Sequence, residues 1–418
     1  MNNQIKLAVA AALLAAASSA NAGIIIPAGD WTLDIGGIVN AYYTSTRASG
    51  SSVNGPLGTV NGSGKTTSNI TTGLLPNYLI VSGKTRQNDL DVGFTISIQP
   101  GASSQSGGGQ GAVQENRQAF LTFGDASWGS VKAGKDLGVF ASDAILNDMT
   151  LLGVGSGAGG LAGNTTTLGR IGTGYMYADW KSQIAYSTPN FNGFNATVAV
   201  TQSWNASGLM NHVNGALALG ATNTVGSLID SESAVNTQRG GSEPAVEGKA
   251  SYEWTGDVAG KVWVSGITQK VKGLVGGTVD QRAEGVDIGA AVNVAGFGIT
   301  AYYYDASGLG QTIQLANAFD LLGNKRDSNG GYVQATYVLP TKTKLGVSWG
   351  ESRLNGTTSD ATTFNQVKDE MWTVGAYHPL TKHLNLVAEY SDVKHTVSGA
   401  NALEGKAQTV SLGAILFF

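Results

Sequence analysis

The stretch "KAQTVSLGAILFF", residues 406–418, sets Val410, Leu412, Ala414, Leu416 and Phe418 in one apolar row that runs to the last residue of the chain. Terminal residues usually fray unless something ties them down. A strand with an oily face at the end of a chain needs a backbone edge to pair with and an apolar medium to face. A sheet closed on itself in lipid supplies both, because closure pairs every edge and the bilayer takes the apolar row.

The same period of two recurs along the chain. "WTLDIGGIVNAYY" (31–43) puts Trp31, Leu33, Ile35, Val39, Ala41 and Tyr43 on one face, and Thr32, Asp34, Gly36, Asn40 and Tyr42 on the other. "DLDVGFTISIQ" (89–99) sets Leu90, Val92, Phe94, Ile96 and Ile98 against Asp91, Gly93, Thr95, Ser97 and Gln99. "VDIGAAVNV", "GITAYYYD", "KLGVSWGES" and "LNLVAEYS" behave alike. Sixteen such segments begin near residues 31, 74, 89, 115, 128, 175, 192, 245, 258, 284, 296, 329, 342, 369, 383 and 406. Short connections such as "TRQND", "GDAS", "VAGF" and "LPTK" alternate with long ones rich in Gly, Ser, Asn and Thr. Short turns on one side and long loops on the other mark an outer-membrane barrel.

Composition agrees. The chain has 60 glycines, 8 prolines, no cysteine and 13% charged residues, with a net charge of −4. Without cysteine, disulfides and thiolate chemistry are excluded. Residues 1–22, "MNNQIKLAVAAALLAAASSANA", combine Lys6, an apolar run from Leu7 to Ala17 and an Ala-x-Ala ending, the form of a secretory signal peptide. The expected organisation is a signal peptide at 1–22 and a barrel over 23–418. Every later apolar run is interrupted by glycine or a polar residue, so no helical span is expected. A soluble sandwich would also alternate, but its strands average about 5–6 residues, whereas these approach the roughly 9–11 that cross a bilayer at a tilt. Trp31, Tyr43, Trp254, Tyr303, Tyr337, Trp349, Trp372 and Tyr390 fall towards strand ends, where interfacial girdles belong.

Several stretches resemble the general trimeric diffusion porins of Gram-negative outer membranes, in their proteobacterial branch. They are "NRQAFLTFGDASWGSVKAGKD" (116–136), "IAYSTPNFNGF" (184–194), "GGYVQATYVLPTKTKLGVSWGES" (330–352), "VGAYHPLTKHLNLVAEYS" (374–391) and the terminal Phe418. The resemblance implies a 16-stranded antiparallel transmembrane β-barrel with short periplasmic turns, long extracellular loops and an inward-folded third loop. It also implies a homotrimer in outer-membrane lipid and lipopolysaccharide, with Phe418 as the signal read by the barrel-assembly machinery. The third loop falls at about 137–174; its first half, "VFASDAILNDM", reads as a short helix turning Asp143 and Asp148 to the pore.

Such porins set an acidic loop against a basic wall, and the field between them orients polar solutes. The constriction candidates are Asp143 and Asp148 on the loop, facing Arg117, Lys181 and Arg170; Asp34, Tyr42, Tyr78, Lys132 and Asp179 are further candidates for the lumen. Lys84 and Arg86 belong near the periplasmic end. "PNYLIVSGK" offers Asn77 or Tyr78 where relatives often carry an arginine, so weak selectivity leaning to anions is expected. Passive diffusion of small hydrophilic solutes is the leading reading. A channel selective for a sugar or an anion such as phosphate, and a non-conducting surface adhesin, are the alternatives. "GSGAGG" (155–160) has the spacing of a dinucleotide motif without a strand-turn-helix around it. The four histidines, His212, His378, His383 and His395, fall in loops or a turn at different ends of the barrel, so no metal set, cofactor, catalytic triad or nucleic-acid contact is expected.

Overall fold

The computed structural model describes residues 23–50, 53–55, 58–60, 66–102, 115–160, 166–203, 243–274, 279–320 and 322–418; the expected signal peptide lies outside them. Sixteen strands form the barrel. In chain order they are β1 (Trp31–Gly50), β2 (Tyr78–Gln87), β3 (Leu90–Ile98), β4 (Ala119–Asp125), β5 (Gly129–Leu137), β6 (Trp180–Ser187), β7 (Phe194–Thr201) and β8 (Ala245–Trp254). Then follow β9 (Val258–Gly273), β10 (Val279–Val294), β11 (Phe297–Ser307), β12 (Asp327–Val338), β13 (Lys344–Asn355), β14 (Gln366–Pro379), β15 (Leu384–Ser398) and β16 (Leu403–Phe417). Each pairs antiparallel with the next, and β16 returns to β1 from Ile38↔Phe417 to Gly50↔Gly405. The turns carry the required backbone signs: Asn88 and Asp89 between β2 and β3, and Ala295 and Gly296 between β10 and β11, all have positive φ. Those are the conformations of a two-residue hairpin turn whose twist matches its strands.

The seam is composite. Below Phe418, which exchanges two backbone bonds with Gly37 at 2.7 and 3.0 Å, a short N-terminal strand (Ile24–Ala28) takes over the same edge of β1, from Ile24↔Ile35 to Ala28↔Trp31. Val410, Leu412, Leu416 and Phe418 are exposed on the outer face, as the alternation requires for lipid contact. Replacing Leu416 with Asp, which sets a carboxylate against lipid at a cost of up to a few kcal/mol depending on depth, is expected to reduce the yield of folded, heat-modifiable barrel. An unchanged yield would contradict a lipid-facing row.

The outer face is layered. On β11, β13, β14, β15 and β1 the apolar row ends at Tyr303, Trp349, Trp372, Tyr390 and Tyr43, all partly or fully exposed, with Trp372 and Tyr390 ring centroids 5.1 Å apart. Beyond them, towards the long loops, the same rows carry Asp305, Glu351, Arg353, Lys368, Glu370, Asp392 and Lys394. Trp31, Trp254 and Tyr337 lie at the short-turn end. A band of apolar side chains between two aromatic girdles is what a barrel in a bilayer presents to lipid.

The inner face carries the other parity and is roofed by loops. A helix, α1 (Ser142–Leu146), and a 3-10 turn (Met149–Leu152) lie in the third loop, residues 138–179. The helix is shorter than "VFASDAILNDM" suggested, because Ala141 adopts φ 62° before it and Asp148 restarts the chain as the cap of the next turn.

Candidate functional site

The third loop hangs from the wall by its own backbone. Glu247 on β8, fully buried, accepts the amides of Val139 and Phe140 at 2.7 and 2.8 Å and holds the Lys181 ammonium of β6 at 2.5 Å. Asp287 on β10 accepts the amide of Ala141 at 3.1 Å. Further along, Glu389 on β15 accepts the amides of Val154 and Gly155, both at 2.8 Å, and the Tyr377 hydroxyl at 2.6 Å. Between these points Tyr332 donates to the Ala144 carbonyl, Gln334 bridges Asn147 and Met149, and Tyr42 donates to the Leu152 carbonyl. Each of these donors and acceptors sits at an inward-facing position of its strand. Buried amides need partners, and three wall carboxylates and a few side chains supply them.

Small residues make room for this. A Cβ at Gly346 would lie 2.7 Å from the Met149 sulfur, and one at Gly350 would lie 2.6 Å from the Thr173 carbonyl oxygen.

The expected constriction residues are not assembled as an acidic loop facing a basic wall. Asp143 is buried and forms ion pairs with Lys249 of β8 and Lys261 of β9, at 2.8 and 2.7 Å. Burial pushes its carboxyl up, but the two ammonium groups more than offset this and hold it below the usual carboxylate range. Asp148 accepts from the Thr150 amide and hydroxyl and from Tyr175, so it caps a turn inside the loop. Arg117 precedes β4, pairs with Glu115 at 2.8 Å and lies 5.8 Å from the Trp180 ring; it borders an apolar pocket lined by Leu74, Leu75, Ile145 and Ile171. Arg170 is wholly buried, donating to the Met371 carbonyl at 2.9 Å and to Ser348. Lys181 is buried against Glu247 and Gln314. Asp143 is thus paired to the β8–β9 wall, and Arg117 to Glu115.

The candidate lumen residues divide likewise. Asp34, Tyr42, Tyr78 and Lys132 occupy inward positions of their strands. Lys132 pairs with Asp136 at 2.5 Å. Asp179 closes the base of the loop with φ 57°, its carbonyl accepting from Gly138 at 2.7 Å.

Sequence reasoning missed two things. Lys249, Lys261, Glu247, Asp287 and Glu389 stand on the wet face of alternating strands, which was the available signal. The sixth loop, residues 308–326, also packs inward: the Tyr177 amide donates to the Thr312 carbonyl at 2.8 Å, and Gln314 joins Lys181 to the Tyr177 carbonyl. No periodicity announced that.

A closed barrel with an apolar outside, a polar inside and a loop held within it is the architecture of a membrane channel. The family model for Gram-negative porin matches residues 8–397, and the chain belongs to that family. It is an outer-membrane channel for passive diffusion. Among solved structures it is similar to the outer membrane channel DcaP of Acinetobacter baumannii, at 16% identity over 94% of this chain and 99% of that one, with a TM-score of 0.64. It is also similar to OmpF of Salmonella typhi (15%, 94% and 100%, TM-score 0.59) and to OmpT of Vibrio cholerae (14%, 94% and 100%, TM-score 0.56). No curated protein sequence matches it.

Proposed function

We propose that the channel passes small hydrophilic solutes and ions with a weak preference for anions, and that it works as a homotrimer in outer-membrane lipid and lipopolysaccharide. The observation that carries the preference is the charge arrangement at α1, where the buried carboxylate of Asp143 is shared by two partly exposed lysines, Lys249 and Lys261, and the second carboxylate, Glu253 on Lys261 at 3.0 Å, is itself exposed. The trimer is supported by OmpT of Vibrio cholerae, which is described in a trimer form. Light scattering in mild detergent that returned a monomer would overturn that part.

Purified protein in planar bilayers should give large conductance steps; a solute-selective pore would show block by its solute, and an adhesin no steps. Asp143→Asn is expected to shift the reversal potential in a KCl gradient towards anions, since it leaves Lys249 with no carboxylate and Lys261 with only the exposed Glu253, in a confined space where charge is poorly screened. Arg117→Gln, whose partner is Glu115, should shift it far less. Equal shifts from both would place Arg117 in the constriction after all.

A further inference from the structure

Nearly every cation around the third loop is committed to a protein partner. Lys181 has Glu247, Lys249 and Lys261 have Asp143, Lys132 has Asp136, Arg117 has Glu115, and Arg170 is buried among neutral acceptors. Lys344 differs. It begins β13 at an inward position, opposite Val338 and Tyr377, with Gly346 and Ser348 following on the same face. Its ammonium lies 5.1 Å from the centroid of the Tyr377 ring, and among the described residues no carboxylate is within ion-pair distance of it.

The two carboxylates whose field reaches Lys344 are Asp148 and Glu389. Both are already taken: Asp148 by the Thr150 amide and hydroxyl and Tyr175, Glu389 by the amides of Val154 and Gly155 and by Tyr377. Neither is free to swing towards the ammonium without orphaning buried donors. The Met149 side chain, against Gly346, roofs the site one position further along the strand. Lys84, the other inward lysine with no ion pair among the described residues, is exposed near the mouth, where water screens it.

A partly desolvated ammonium with an aromatic ring beneath it, apolar side chains beside it and no counterion in the protein takes its counterion from solution. We propose that Lys344 is an anion-binding step on the short-turn side of the third loop, and that it takes small organic carboxylates with an apolar body. This rests on the channel reading. The carboxylate pairs with the ammonium, while the body lies against Tyr377, Val338 and Met149.

The test is single-channel recording of the parent, Lys344→Gln, Lys344→Arg and Lys84→Gln, with benzoate and uncharged benzamide as probes. Benzoate should reduce the parent's KCl conductance and benzamide should not. Lys344→Gln should lose that block and lower the chloride-to-potassium permeability ratio by about twofold or more, the scale expected for one charge in a confined pore. Lys344→Arg should keep both properties, and Lys84→Gln should change the ratio less than Lys344→Gln. An unchanged ratio and unchanged block in a conducting Lys344→Gln would overturn the site and leave the channel intact, whereas a non-conducting parent would overturn both. If Lys344→Gln does not fold, equal block of the parent by benzoate and benzamide would be decisive against it.

Discussion

Glu247→Leu is expected to give the largest loss of stability of any single change within the lumen. The substitution strands the buried Lys181 ammonium and removes the acceptor of two consecutive amides, Val139 and Phe140, at the point where the third loop leaves the wall. Removing one partner of a buried ion pair costs roughly 3–5 kcal/mol, mostly because the survivor is left uncompensated. The folded trimer or monomer should dissociate or unfold at a clearly lower temperature on a heat-modifiability gel. Its current should also be larger and noisier, since the start of the loop loses its backbone attachment to β8, while the Asp143–Lys249 pair still ties it there. Glu247→Gln keeps an acceptor but loses the charge, and should fall between the two. A Glu247→Leu protein with the parent's melting and conductance would show that the loop is positioned by something else.

The second large effect is expected from Gly350→Val. The Cβ would meet the Thr173 carbonyl oxygen at 2.6 Å, the Tyr332 Cβ at 2.7 Å and the Gly331 carbonyl oxygen at 2.9 Å, so the obstruction is largely backbone and cannot rotate away. Overpacking of this kind costs about 1–3 kcal/mol. The nearest obstruction, at Thr173, belongs to the loop's return segment, which has only a few bonds, whereas those at Tyr332 and Gly331 belong to a fully laddered wall that can shift little, so the loop is what moves most. Conductance should change while the barrel still forms. Gly248→Val is the control: its nearest non-neighbouring atom would be 3.8 Å away, and it should behave like the parent. Identical currents from Gly350→Val and the parent would mean that the return segment does not shape the pore.

How far the sequence could be read follows from what encodes each feature. The strands, their starts and the seam were legible because alternation is local and repeats sixteen times; Trp349 and Tyr390 even marked the girdle. The third loop was legible as a loop because its length needs a reason. Its contacts were not. Nothing local tells whether Asp143 will meet Arg117 or the lysines of β8 and β9, since that depends on which wall the loop follows after Ala141. Lys344 is hidden for a related reason: its inward parity shows in the alternation of β13, but nothing local tells that it lacks a carboxylate partner among the described residues. The inward sixth loop depends on Tyr177 and Lys181, far away in sequence, and left no pattern to find.

The composite seam bears on how the molecule is made. Trp31 and Ala28 pair in a local hairpin, but the contacts that close the cylinder, from Gly37–Phe418 to Gly50–Gly405, join the first strand of the barrel to its last. Closing a long segment costs only slightly more entropy than closing a short one, growing as the logarithm of its length, but such distant contacts are slow to find. Until they form, the sheet carries two bare edges, each able to pair with another chain. Assembly therefore has a single late commitment step, and a chain that stalls before it is an aggregation hazard rather than a smaller pore.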